Sequence, residues 1–211
     1  MFLQKEIKIP QVVWSSIFFI VLIWSGIHPK DLFTWFLEVA PALIGFVLLV
    51  ATFKKFRLTN LVYVLILIHC IILMIGGHYT YAEVPLFNWL RDVLDLERNN
   101  YDKIGHLAQG FIPAMVAREI FIRKSVIAGA SWRNFLIVCF CLAVSAFYEL
   151  IEWWVAELSG ESAEAFLGTQ GYVWDTQSDM AMALFGAMAA LVLLSKAHDR
   201  QLKAISSNSA V

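Results

Sequence analysis

Apolar residues fall along the chain in six windows separated by short polar breaks, at about 11–27, 32–53, 58–77, 104–122, 132–156 and 176–194. A bilayer core about 30 Å thick needs roughly 20 mostly apolar residues to cross it as a helix, and each window is near that length. The pattern predicts an all-α, polytopic membrane helix bundle with six transmembrane helices, forming a single integral membrane domain over residues 1–211. Between the third and fourth windows, Leu86, Phe87, Leu90, Val93 and Leu94 share one helical face and Asn88, Arg91, Asp92 and Asp95 the other. That arrangement predicts a short helix lying in the interface, with Pro85 at its first position.

Composition agrees, since 60% of the residues are hydrophobic and only 16% charged, against about 25% charge in soluble domains. Sixteen basic residues against 17 acidic ones leave no basic surplus for nucleic acid. Three cysteines, Cys70, Cys139 and Cys141, lie inside apolar runs and read as packing residues. The first window lacks a small-residue cleavage site after it and is read as a retained helix, not a removed signal.

Lysine and arginine set the orientation, because cytoplasmic segments carry their excess. With the N-terminus inside, the inner segments hold Lys5, Lys8, Lys54, Lys55, Arg57, Arg123, Lys124, Arg133, Lys196, Arg200 and Lys203. The outer segments hold only Lys30, Arg91, Arg98 and Lys103. Both termini are therefore expected in the cytoplasm. The second outer connection, Glu157 to Trp174, is acidic and contains Gly160, Gly168 and Gly171, which predicts a mobile loop. The polar stretch after Leu194 reads as a frayed end.

Ionisable residues inside a membrane span cost roughly 2.5–3.5 kcal/mol each on insertion scales, so their positions point to function. They concentrate at the outer level: Glu38 in the second window, His78 at the end of the third, Asp102, Lys103 and His106 opening the fourth, Glu149 and Glu152 in the fifth, Asp175 and Asp179 opening the sixth. Asp102 with His106, Glu149 with Glu152, and Asp175 with Asp179 are spaced three or four apart, so each pair shares a helix face. Asp102 and Asp175 also suit helix N-caps, and His106 a structural histidine bonded to a carboxylate. Glu149 beside Glu152 demands a shared proton, a cation or basic partners.

These residues predict an outward-facing acidic pocket with Glu149, Glu152, His106 and Asp179 as candidate catalytic groups. A divalent cation is the candidate cofactor, with His106, Glu149, Glu152, Asp175 and Asp179 as ligands and Asp102, Lys103, Glu38 and His78 in support. No zinc-protease motif or nucleophile-elbow serine is present, and Arg91, Arg98 and Lys103 are few for a phosphatase of lipid pyrophosphates. The expected partner is membrane lipid, as an envelope lipid or lipid-linked substrate, while protein partners stay open. Two alternatives are a small proton-coupled transporter and a non-catalytic membrane partner protein whose polar layer only locks its helices. The absence of an internal repeat, and inner halves of the windows that hold almost no polar residue apart from Arg118, Glu119 and Thr52, weigh against a transporter.

The stretches YDKIGHLAQGF from Tyr101, FYELIEWW from Phe147 and VWDTQSDMAMALFGA from Val173 resemble the YjdF-type bacterial inner-membrane proteins over nearly the whole chain. More distantly, Asp102, Lys103, His106, Glu149 or Glu152, Asp175, Asp179 and Gly186 resemble the pattern of the VanZ-like membrane proteins. An asparagine expected after the last aspartate of that pattern is replaced in the run Met180 to Ala183. The first resemblance implies that the membrane is a bacterial inner membrane, without a reaction, and the second implies a link to glycopeptide-antibiotic tolerance at the cell surface.

Overall fold

A computed structural model describes residues 10–159 and 173–208, and the described residues are helical with no strand. Seven helices follow in order: α1 (Gln11–Gly26), α2 (Leu32–Thr52), α3 (Asn60–Tyr79), α4 (Pro85–Leu94), α5 (Tyr101–Arg123), α6 (Ala130–Ser159) and α7 (Asp175–Asn208). Four of them, α2, α3, α6 and α7, are long and apolar enough to cross a membrane. The 16 residues of α1 span only about 24 Å, and α5 carries charge at both ends. Local chemistry sets several boundaries. The Asp31 carboxylate accepts from the Thr34 amide at 2.6 Å to cap α2, and the Thr59 hydroxyl caps α3. Pro85 is the first residue of α4, where its missing N–H costs nothing.

Three boundaries differ from the sequence expectation. The Asp102 side chain does not cap α5, which starts at Tyr101 with Asn100 as its N-cap residue. Glu157, expected in the outer loop, is still helical in α6. Residues 160–172 of that expected loop, including Glu161 and Glu164, lie outside the described residues, as does the end of the tail from Ser209. The polar stretch after Leu194 continues α7 to Asn208 because it is held from the side. His198 and Leu202 are buried there, and the Gln201 side chain accepts from the Leu61 amide at 2.9 Å.

Packing divides the molecule into two apolar clusters joined by α3. Trp14 and Phe18 of α1, Val39 and Ala42 of α2, and Leu67, Cys70 and Met74 of α3 form one. Val62 of α3, Ala114 and Met115 of α5, Ile137 and Cys141 of α6, and Ala187, Ala190 and Leu191 of α7 form the other. Cys70 and Cys141 therefore pack in cores, as expected, whereas Cys139 is exposed. Large apolar side chains such as Ile20, Phe36, Val47, Phe135, Phe147, Phe185 and Val192 face outward. Polar residues gather inside while apolar ones cover the perimeter, which is the arrangement a lipid solvent selects.

The closest helix pair is α5 with α7, and it depends on glycine. A Cβ built on Gly110 would lie 1.8 Å from the Ala183 carbonyl oxygen, and one on Gly186 would lie 2.2 Å from that of Leu107. Small residues at such a crossing let backbones approach and gain dispersion where lipid provides no hydrophobic drive between helices. Gly110→Val is expected to cost about 3 kcal/mol or more through overpacking. Gly45→Val, where no neighbour lies within 4 Å, should stay within about 0.5 kcal/mol. Melting of the two purified variants in detergent, side by side with the parent, checks this difference.

Candidate functional site

The polar layer expected at the outer level is assembled at the start of α5, where three side chains meet α7 and α6. Asp102 and His106, one turn apart, face each other with Oδ1 and Nε2 at 3.3 Å. Lys103 points to α7, where its ammonium lies 2.9 Å from Asp175 Oδ1 and 2.6 Å from Asp179 Oδ1 and also donates to the Ser178 hydroxyl. Arg98, just before α5, donates to Asp175 Oδ1 at 2.8 Å. Asp175 is thereby held by two cations. Asp179 keeps its second oxygen turned to His106, at 4.0 Å from Nε2.

On the other edge of the imidazole, His106 Nδ1 lies 3.2 Å from Gln109 Oε1 and 3.7 Å from Glu149 Oε1 on α6. That Glu149 oxygen is buried and has no hydrogen-bond partner. Asp102, His106 and Asp179 each present a ligand atom, all within 4.8 Å of one another. Oxygen and imidazole donors in that number suit a hard or borderline divalent cation.

Beside the imidazole lies a cavity of about 170 Å³, lined by Glu38, Pro41, His69, Leu73, Tyr81, Asp102, Gly105, His106, Gln109, Pro113, Val144, Tyr148 and Glu152. The Tyr148 hydroxyl donates to Glu38 Oε2 at 3.2 Å, joining α6 to α2. Pro41 and Pro113 interrupt two helices at this level. Neither can donate an N–H to the carbonyl four residues earlier, those of Leu37 and Gln109. Tyr81 reaches the cavity through an unusual backbone: Thr80 and Tyr81 both have φ of 55°, in the left-handed region that bulky residues avoid. Its amide donates to the Gly76 carbonyl at 2.8 Å, which folds the ring over Gly76 and against Gly105. Burial, then the nearby Glu38 carboxylate, push the Tyr81 hydroxyl well above the ordinary phenol range, so it stays a neutral donor.

The helix-face pairs expected from spacing thus stand in one neighbourhood, with divided roles. Asp102, His106, Asp179 and Glu149 form the group around the imidazole, while Glu38 and Glu152 line the cavity. Asp175 lies apart from the three-residue group, under Arg98 and Lys103. His78 is not brought to the site: its Nδ1 lies 2.9 Å from the Ser25 carbonyl oxygen and its ring packs on Trp24 and Tyr79.

The chain matches a family model described as a predicted membrane protein (DUF2238) over residues 10–200. It belongs to that family. The inner membrane protein YjdF of Escherichia coli (strain K12) is 50% identical over 184 residues, which cover 87% of this chain and 88% of that protein. No solved structure matches. The YjdF-type resemblance therefore holds, the chain is a membrane protein, and the VanZ-like likeness gains no support from either match.

In this DUF2238 chain the sequence reading passes over Tyr148 and Gln109, which line the cavity together with His69, a histidine read as structural. It names Arg118 and Glu119 but not the second polar cluster they form at the opposite end of α5. There the fully buried Glu119 accepts from the Thr59 amide and hydroxyl, the latter at 2.7 Å, and from Arg123 at 2.8 Å. Buried His198 stands between Glu119 Oε2 and Arg118, at 3.0 Å from each. Because arginine only donates, the His198 Nδ1 accepts and its Nε2–H donates to Glu119. Arg118 also holds Asp199 at 2.7 Å. The available signal was the pairing of Arg118 and Glu119 with a histidine near the end of α7, concealed by reading that end as a frayed tail.

Lys103→Met would leave Asp179, whose side chain is 6% exposed, without its cation, at an expected cost of about 3 kcal/mol. Adding Asp179→Asn should recover part of the loss. A double-mutant cycle on thermal unfolding in detergent is expected to give a coupling of about 1–3 kcal/mol between the two positions, and strict additivity would contradict the geometry.

Proposed function

We propose that this inner-membrane protein crosses the bilayer six times through α1, α2, α3, α5, α6 and α7, with α4 lying in the outer interface. Both termini lie in the cytoplasm, and the outer polar layer binds a divalent cation next to an envelope lipid or lipid-linked group. The excess of Lys and Arg at one end of the bundle supports the orientation. Leu86, Trp89, Val93 and Leu94 of α4 are exposed on a helix with no buried residue, which supports its interfacial placement. C-terminal fusions test the orientation: a fluorescent reporter active only in the cytoplasm should light up and a phosphatase active only in the periplasm should stay silent. The opposite result would turn the polar layer to the inside and end this reading.

One observation carries the cation: the buried, unpartnered Glu149 oxygen faces the same imidazole as the Asp102, His106 and Asp179 ligand group. A buried carboxylate oxygen without a hydrogen bond is costly, and a cation is one way to satisfy it. A bound cation would supply Lewis acidity. With Glu149 on the cation, Glu152 would take the proton, while the cation or His106 polarises the substrate. Purified protein should melt at a higher temperature with saturating Mn²⁺ or Zn²⁺, by about 2.7 kcal/mol of stabilisation at a hundredfold excess over Kd. The shift should be lost in Asp179→Asn and His106→Ala. If the parent shows no metal-dependent shift while Lys103→Met still unfolds early, the layer is a lock between helices and the partner-protein alternative takes precedence.

The transporter alternative draws only on the presence of two polar clusters on α5. His106 and Arg118 are roughly 18 Å apart along that helix at about 1.5 Å per residue. The layer between them is filled by Ile112, Ala114, Met115, Ala183 and Ala187, all buried. The glycine crossing with α7 holds this plug closed.

A further inference from the structure

The α1 and α2 helices are pinned together at one end and part at the other. At their outer ends the Trp35 indole donates to Ser25 at 3.1 Å. Midway, Phe46 of α2 stacks on Trp14 and Phe18 of α1. Beyond that point the two separate over α3 and leave a groove of about 460 Å³, within the range of about 300–1,000 Å³ typical of ligand sites. Its floor is rigid, because the Trp14 indole donates to the Tyr63 carbonyl at 2.7 Å. The walls are apolar, with Phe46, Leu49 and Val50, and the mouth carries Gln11, Ser15, Lys54 and Lys55.

Charge at this mouth has one sign. Lys54 and Lys55 are exposed, and among the described residues no carboxylate pairs with either. The whole sequence from Val39 to Ala82 contains no acidic residue, and Arg57 adds a third cation two residues beyond Lys55. A basic rim at the end of a membrane helix, above an apolar slot open toward lipid, matches an amphiphile with an anionic head and an alkyl tail. An apolar partner helix would not explain unpaired lysines at its mouth.

We propose that the groove between α1 and α2 is a binding site for one anionic phospholipid of the cytoplasmic leaflet, its phosphodiester held by Lys54 and Lys55 and an acyl chain laid along Trp14 and Phe46. The site is separate from the outer polar layer and does not depend on any activity there. It is tested by native mass spectrometry of the full chain released from detergent carrying either phosphatidylglycerol or phosphatidylcholine. The parent should retain one phosphatidylglycerol with roughly tenfold preference over phosphatidylcholine. The preference should vanish in Lys54→Gln/Lys55→Gln, whose altered side chains are exposed and leave the melting temperature unchanged. Ala51→Trp, which fills the slot but keeps both lysines, should lose retention of the lipid. Equal retention of the two lipids by the parent, full retention by either variant, or a lipid-free dimer in place of the lipid-bound chain would overturn the proposal.

Discussion

A charged side chain moved from water into the interior of a membrane bundle costs several kcal/mol unless another charge or a set of hydrogen bonds meets it. Most of this molecule follows from that constraint acting on α5. Its 23 residues carry Asp102, Lys103, His106, Arg118, Glu119 and Arg123, far too much charge for a helix facing lipid. It can be packed among apolar helices only if those helices bring partners. Asp175 and Asp179 of α7 meet Lys103, while His198 and Asp199 of the same helix meet Glu119 and Arg118. The polar residues of α5 thus select the neighbour of α5, and select it twice.

Close approach makes those pairings possible. Gly110 and Gly186 let the backbones of α5 and α7 touch at the middle of the crossing, and charged side chains above and below then reach across at 2.6–3.0 Å. One element acts as hinge pin for two chemically different ends. Near Arg118 both oxygens of Glu119 are used, by Thr59, Arg123 and His198, which fastens α3, α5 and α7, while the Arg118 Nε is buried without a hydrogen bond. At the Asp102 end it is an acid that is left short: a Glu149 oxygen has no hydrogen bond, Asp179 has one oxygen committed to Lys103, and a small cavity adjoins the imidazole. A fully used carboxylate suits a fastener, and an unused carboxylate oxygen beside a cavity suits a place where something binds.

The backbone at Tyr81 belongs to the same contrast. Two consecutive non-glycine residues with positive φ are costly, and they persist here because the ring they deliver seals the space over Gly76 and Gly105 beside Glu38. Prolines in α2 and α5 stand at the same level. The paired positive-φ residues and the two in-helix prolines therefore stand together at this cavity.

Periodicity and window length were sufficient for the helices themselves, including the amphipathic α4 with Pro85 at its start, because both depend on neighbours in sequence. Spacing of three or four also placed Asp102 with His106 and Asp175 with Asp179 on shared faces, a property of any α-helix. Which faces meet was not legible, since it is decided by contacts between residues far apart in the chain. Lys103 joins Asp175 and Asp179, His198 lies against Glu119, and His78 turns away to Ser25. The end of α7 shows the reason most directly: a stretch polar enough to read as a loose tail is a helix because His198, Gln201 and Leu202 are held against the bundle, the first two by α5 and α3. Sequence alone determined that this chain is a membrane protein built of helices and which of its charges share a helix face. Tertiary structure decided which charges neutralise one another and which carboxylate oxygen is left without a hydrogen bond, because the cost of a buried charge is set by what surrounds it and not by what precedes it along the chain.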